Sequence, residues 1–296
     1  MTNQTQLELR QRLEEHMTEL PSLPTVVAQL MTLDRDDEDY FDKLLATLES
    51  DPNLSARVMA RANSASGGSR VPITTLRAAL GRIGSQTAAN LVLSMAMTNV
   101  FIPRDEWEKS LWRHAIQVAT AARELALYCK DAELDADEAY ACGLLHDIGR
   151  FVMFHETPDE LKQIDEADWD EPEGLVHEEM STFGITHSYL GALACRRWGI
   201  AESIAQLVED HHSKPVACPE GQQAKLTAVV QVADIAMFPS AMPGTPGLED
   251  ADDETLRDEV VIRLPPFIKI EIPELRRLLK LSADKARTAT EALGVG

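Results

Sequence analysis

His146 and Asp147 stand side by side in the run Leu144-Leu145-His146-Asp147-Ile148-Gly149-Arg150. On a helix, consecutive residues diverge by only about 100°, so an imidazole and a carboxylate at such positions can both reach one ion. Leu144, Leu145 and Ile148 turn the same segment toward a core. A buried histidine and aspartate must then be hydrogen-bonded, ion-paired or metal-bound, because an unsatisfied buried polar group costs roughly 1 to 3 kcal/mol. Partners of the right type lie elsewhere: His114 in an Ala-rich helical stretch, Asp234 in the apolar run Val232-Ala233-Asp234-Ile235-Ala236, His187, and the doublet His211-His212. Five histidines and two aspartates suit one or two borderline or hard divalent ions, Fe or Mn as readily as Zn. Their spacing is too wide for a local metal motif, so a helix bundle must gather them. The alternatives are a hydrogen-bonded core pair for His146 and Asp147, and capping of helix-end carbonyls for His187 and the doublet. Arg150, one turn beyond His146, either faces a phosphate oxygen or sits solvated at a helix end. His16, His155 and His177 have no partner in this pattern and read as surface residues.

The elements that must position these side chains are helical. Apolar residues recur at spacings of three and four, as in Leu76, Ala79, Leu80 and Ile83, and alternation of period two is hard to find beyond Val260 to Leu264. The expected fold is all-α, with two packed helical halves, about 1–103 and about 104–296. Helix starts are marked at Pro24-Thr25, at Asp51-Pro52 and at Thr74 before Leu76. Aromatic residues are only 5% of the chain, so aliphatic side chains must fill the core, with Met95 and Met97 as gap-fillers. The first half carries no histidine besides His16 and reads as a packing half. Pro103-Arg104-Asp105-Glu106 interrupts the helix ending at Phe101, and every candidate ligand lies beyond that break. From Pro239 to Asp253 the chain is rich in proline, glycine and acids, which predicts a mobile surface loop before helix resumes from Pro273 to Leu293. Asn63, Ser64, Ser66 and Gly67-Gly68 form a small polar turn with no GxxxxGK[ST] phosphate loop beside it, and Asp51 is most simply a helix cap. No G-x-S-x-G nucleophile arrangement occurs.

The order His114, His146-Asp147, Asp234 resembles the H...HD...D signature of the HD superfamily of metal-dependent phosphohydrolases, and His187 with His211-His212 resembles the extra ligands of its HD-GYP branch. Leu20-Pro21-Ser22-Leu23-Pro24, Asp51 to Arg57, Ala62-Asn63-Ser64-Ala65 and Ile73 to Gly84, followed by Trp112, the HDIGR run and Arg197-Trp198-Gly199-Ile200, are similar to the HDOD domain, the HD-related output domain. That resemblance spans roughly residues 15–290 and implies an HD-type helical bundle in the C-terminal half. It also implies that His114, His146, Asp147 and Asp234 hold one metal, that His187, His211 and His212 complete a second position, and that Asp147 bridges them. Ser213-Lys214-Pro215 follows the doublet, so the glutamate and GYP tripeptide of a cyclic-di-GMP phosphodiesterase are absent, and Ser110 stands where that branch has an acid. The family implies a bacterial-type regulator acting in signal transduction through contacts with signalling proteins. The alternative is a metal-dependent phosphohydrolase acting on a nucleotide or phosphoester, with Asp147 and Arg150 in its machinery and a small phosphate ligand.

Composition narrows the field. A formal charge of −21, from 49 acidic and 28 basic residues, repels phosphate backbones and anionic lipid, so neither nucleic acid nor membrane is an expected partner. Cys129, Cys142, Cys195 and Cys218 form no CxxC pair and sit mostly in Ala- and Leu-rich surroundings, as reduced core cysteines do. No signal-peptide pattern or run of 18 apolar residues is found, which makes the cytoplasm the expected location.

Overall fold

Leucine, alanine and valine at three- and four-residue spacing become helices throughout the described residues. The structure, a computed structural model, describes residues 3–20, 37–50, 52–64, 73–166, 172–241 and 247–295, and no strand occurs among them. The fold is all-α. The helix start at Pro24-Thr25, the Asp51 cap and the Ser66-Gly67-Gly68 part of the polar turn lie outside the described residues. Close contacts divide the chain into two units: Met1–Leu20 with Pro103–Glu291 and Val295–Gly296, and Pro21–Ile102 with Ala292–Gly294.

In the larger unit, α1 (Asn3–Glu19) is followed by α6 (Glu106–Tyr128), α7 (Ala136–Leu145), α8 (Ile148–Glu156), α9 (Pro158–Asp165), α10 (Pro172–Phe183), α11 (His187–Arg197), α12 (Glu202–Asp210), α13 (Gly221–Met237), α14 (Asp253–Glu259) and most of α15 (Ile272–Leu293). The first twenty residues were expected in the N-terminal half, yet they cluster with this unit. Leu9, Leu13 and Met17, one face of α1, are buried, and α1 packs on α8 and α10. Helix α6 lies along α7 and α13, and α11 lies along α8 and α12. The α8–α11 crossing brings backbone against backbone. A Cβ on Gly149 would sit 1.9 Å from the His187 carbonyl oxygen and 2.7 Å from the Gly191 nitrogen, so only glycine permits this approach.

The smaller unit contains α2 (Tyr40–Glu49), α3 (Pro52–Ser64), α4 (Leu76–Ile83) and α5 (Ser85–Val100). Leu44, Leu48, Val58, Ala62, Ala79, Leu80 and Val92 are fully buried, and each large aliphatic side chain removed from water contributes about 1.5 to 3 kcal/mol. Helix α4 is capped by Thr75, whose hydroxyl accepts from the Ala78 amide at 3.3 Å, one residue later than the expected Thr74. Asn63, in the last turn of α3, has a structural role. Its amide donates to the Met59 and Ile73 carbonyls at 3.1 Å, and its oxygen accepts from the Ile73 amide at 2.8 Å.

Two local features follow. In the alternating run Val260 to Leu264, Val261–Arg263 forms a 3-10 turn, and the Arg263 guanidinium donates to the Asp258 and Glu259 carbonyls at the helix end. Within the expected loop from Pro239 to Asp253, Phe238–Ala241 and Leu248–Asp250 also form 3-10 turns. Of the cysteines, Cys129, Cys142 and Cys195 are buried and Cys218 is exposed. Burial pushes the Cys129 thiol up to about 11, Cys195 up to about 12 and Cys142 well above its ordinary value.

Candidate metal centre

Three helix junctions and two helix interiors build the centre. His146 and Asp147 do not continue a helix, as the sequence suggested; they form the turn between α7 and α8, with His146 as the last cap of α7 and Asp147 as the first of α8. Asp147 makes no side-chain cap bond, because its carboxylate is turned toward histidines. His187 opens α11 after the Thr186 cap, and His211-His212 follow α12. His114 projects from within α6 and Asp234 from within α13.

All seven residues proposed from the sequence meet. Donor atoms of His114, His146 and Asp234 lie within 4.8 Å of one another, as do those of Asp147, His187, His211 and His212. Asp147 faces both groups. Its Oδ2 is 3.5 Å from His146 Nε2 and 3.8 Å from His114 Nε2, whereas its Oδ1 is 3.2 Å from His187 Nε2 and 3.6 Å from His211 Nε2. Asp234 Oδ1 is 3.0 Å from His114 Nε2 and 3.6 Å from His146 Nε2. Six of the seven side chains are buried, and His212 is partly exposed.

Three histidines have their rings set from behind. His146 Nδ1 donates to the Gly143 carbonyl at 2.7 Å and His211 Nδ1 to the Val208 carbonyl at 2.6 Å. A carbonyl only accepts, so these Nδ1 atoms carry a proton and Nε2 is the atom each ring turns inward. His187 Nδ1 is held by Glu179, with Oε1 at 2.9 Å and Oε2 at 2.7 Å, and the His187 amide donates to the same Oε2 at 2.9 Å. Such outer partners fix the tautomer and orientation of metal-binding histidines. The chain also fits an ion on a second observation: His146 Nε2 is fully buried and lacks a hydrogen-bond partner, while the nearest carboxylate oxygens stand at 3.5 and 3.6 Å. That spacing resembles the separation of neighbouring ligands around one ion, about 3.0 to 3.4 Å for bonds of 2.0 to 2.1 Å.

Charge is balanced within the cluster. Burial opposes ionisation of Asp147 and Asp234, but His146, His187 and His211 around the first, and His114 and His146 around the second, hold both carboxyls well below their ordinary range. Burial also opposes a charge on His187, yet Glu179 and Asp147 push it up to about 10. His211 and His212 go the other way, lowered by burial and by neighbouring imidazoles.

Glu179 escaped the sequence reading. In α10, Leu175, Glu179 and Phe183 share one stripe at four-residue spacing, and all three are buried. An acid on an apolar stripe was the available signal. Arg150 is neither solvated nor open to a phosphate: it is buried and donates to the equally buried Asp165. Burial opposes its charge, and Asp165, Asp147 and Glu179 more than compensate, raising its affinity for the proton. Ser110 donates to the Trp107 carbonyl at 2.7 Å. His16 and His155, expected alone on the surface, stack on each other.

The HDOD domain family matches residues 20–214. The chain is 27% identical over 217 residues to an uncharacterized protein of Treponema pallidum (strain Nichols), covering 73% of this chain and 42% of that one. It therefore spans well under half the length of the curated relative it matches. A solved HDOD domain protein of unknown function from Geobacter sulfurreducens superposes with a TM-score of 0.71 at 23% identity, covering 97% of this chain and 98% of that one. A Shewanella amazonensis SB2B protein, provisionally named a phosphohydrolase, gives a TM-score of 0.69 at 24% identity and coverage of 95% and 98%. These two show a shared fold. No described helix is long and apolar enough to cross a membrane.

Proposed function

The chain belongs to the HDOD domain family, and on that premise we propose that it is a signalling or regulatory module that acts through protein contacts and holds one or two divalent ions in its HD half. The observation that carries this reading is Asp147, whose two oxygens face two separate groups of donors. His114, His146 and Asp234 would hold one ion and His187, His211 and His212 the other, with Asp147 shared. Iron, manganese or zinc suits this mixed shell. The burial of the donors supports a regulatory or structural centre, since catalytic metal sites keep an open position. The module's surface then carries the output, and the centre holds α6, α8, α11 and α13 in register behind it.

The runner-up is a phosphohydrolase, favoured by the partly exposed His212 edge and by the carboxylate shared between two donor groups. When bound, divalent ions there supply electrostatic stabilisation of a phosphate and acidify water. Asp147 and Asp234 contribute the negative charge that retains the ions, while Glu179 keeps the His187 ring aimed inward. Arg150 serves to brace α8 against α9 through Asp165.

Elemental analysis of protein purified without a histidine tag and reconstituted with Fe, Mn or Zn tests the metal reading. We expect at least about one equivalent, lowered in both His146→Ala and Asp147→Ala; less than about 0.2 equivalent would sink it. Asp147→Asn then separates the two functions. A regulatory module keeps partner binding and cellular activity in that variant, whereas metal-dependent turnover of bis(p-nitrophenyl) phosphate by the parent, lost in a folded Asp147→Asn protein together with cellular activity, would replace it with the enzyme.

A further inference from the structure

A second cluster of donor atoms lies on the outside of the larger unit, where α1 meets α8. His16 of α1 and His155 of α8 stack with ring centroids 4.8 Å apart and planes 21° from parallel. Each ring directs Nδ1 at one and the same atom, Oε1 of Glu156, and both distances are 2.9 Å. The side chains are 14% exposed for His16, 24% for Glu156 and 51% for His155, so the cluster is walled on one side and open on the other. Two imidazole nitrogens and a carboxylate oxygen, all within 4.8 Å of one another, make a His2Glu donor set of the kind that binds zinc with a water in the fourth position.

We propose that His16, His155 and Glu156 form a separate surface site for a divalent cation of the zinc class, which staples α1 to the end of α8. Around a tetrahedral ion with bonds of 2.0 to 2.1 Å, neighbouring donors stand about 3.3 Å apart. Each Nδ1 therefore draws back from Oε1 by about 0.4 Å, while the two ring nitrogens, within 4.8 Å of each other, settle to the same spacing. The Nδ1 protons that now bridge the rings to the carboxylate pass to Nε2 or to solvent, freeing both Nδ1 lone pairs for the ion, and the open side admits water as the remaining ligand. Glu19 adds negative charge near His16. The nearby cation, Arg12, directs its Nη2 to the main-chain carbonyl of Glu156 and not to the carboxylate, so it fastens the same two helices and leaves the carboxylate to the imidazoles.

The position gives the site a consequence. Helix α8 begins after Asp147 and ends at Glu156, a length of about 13 Å at 1.5 Å per residue. A cation at its far end holds in place the same helix whose near end carries the carboxylate shared by the two inner donor groups. Helix α1 meets α8 and α10 through one buried face, and an ion bound to the folded form alone stabilises that docking by mass action.

The test uses the full chain stripped of metal with a chelator and titrated with ZnCl2, with bound zinc counted after equilibrium dialysis. The expected result is that His155→Ala and Glu156→Gln each lose one equivalent relative to the parent. Zinc should also slow proteolytic cleavage within α1 in the parent and in Asp147→Asn, and fail to do so in His155→Ala. Because His155 is half exposed, metal-free His155→Ala should melt with the parent, which a thermal scan verifies; Glu156→Gln keeps the side-chain size and provides an independent measure. An unchanged zinc count in both variants, or undiminished zinc protection of α1 in His155→Ala, overturns the proposal.

Discussion

Replacing Gly149 with alanine probes how the centre is held. The new Cβ would lie 1.9 Å from the His187 carbonyl oxygen and 2.7 Å from both the His187 carbonyl carbon and the Gly191 nitrogen. Ordinary contact begins at about 3.4 Å, so α8 and α11 must part by roughly 1.5 Å, and neither obstacle is a side chain that can swing away. Overpacking of this kind costs about 1 to 3 kcal/mol or more. With backbone on both sides the upper end applies, and the gain of about 1 kcal/mol from helix propensity offsets only part of it. A net loss of about 2 to 3 kcal/mol in a unit of this size lowers the melting temperature by roughly 4 to 12 °C. The same displacement carries His187 away from Asp147, now 3.2 Å distant, and should weaken metal retention, because a misplacement of about 1 Å is enough to spoil a preorganised site. Calorimetry and elemental analysis of Gly149→Ala, run beside Gly81→Ala, supply the measurement. Gly81 lies in α4, and a Cβ there meets nothing within 4 Å, so that control should gain up to about 1 kcal/mol. A Gly149→Ala protein that melts with the parent and keeps its full metal content would refute the argument.

Other consequences are as direct. Leu80→Asp buries an unpaired carboxylate at a fully buried position, at a cost of several kcal/mol, and should abolish hydrogen-exchange protection across α4 and α5; retained protection there would contradict the packing. Asp105 caps α6 by accepting from the Glu108 amide at 3.0 Å and pairs with Lys162 at 2.8 Å. Burial works against its charge, but Lys162 and the amides of Glu108 and Trp107 hold the carboxyl below its ordinary value. Its stabilisation is therefore complete above about pH 4 to 5 and lost as the pH falls through the depressed folded value. Asp105→Ala should cost about 0.5 to 2 kcal/mol at pH 7, and denaturant titrations should show the gap closing as the pH falls through the carboxyl's depressed folded value. Glu179→Leu removes both acceptors behind His187 and should weaken metal binding about 10- to 100-fold, measured by competition with a chelator; unaltered affinity would mean that the ring needs no support.

The helical class was readable because spacing of three and four is a property of local sequence, and the seven centre residues were readable because the resemblance supplied their grouping. The break at His146-Asp147 was not, since Leu144, Leu145 and Ile148 continue the apolar pattern across a junction that bends at Asp147 with φ −99° and ψ 15°. Glu179 looked like one more acid in a chain with 49 of them, and only its place between Leu175 and Phe183 set it apart. His16 and His155 lie far apart in the chain, and no local pattern announces that α1 docks beside α8. Arg150 was ambiguous for the same reason: the side chain that claims it, Asp165, belongs to the next helix.

Burial of three cysteines has a practical side. Cys129, Cys142 and Cys195 are enclosed and resist forming the thiolate that reacts with maleimides and iodoacetamides, whereas Cys218 is exposed between α12 and α13. The unaltered polypeptide thus offers a single address for a fluorophore or spin label, six residues beyond His212. Spectroscopy of the doublet's surroundings can begin without removing a native thiol or introducing a new one.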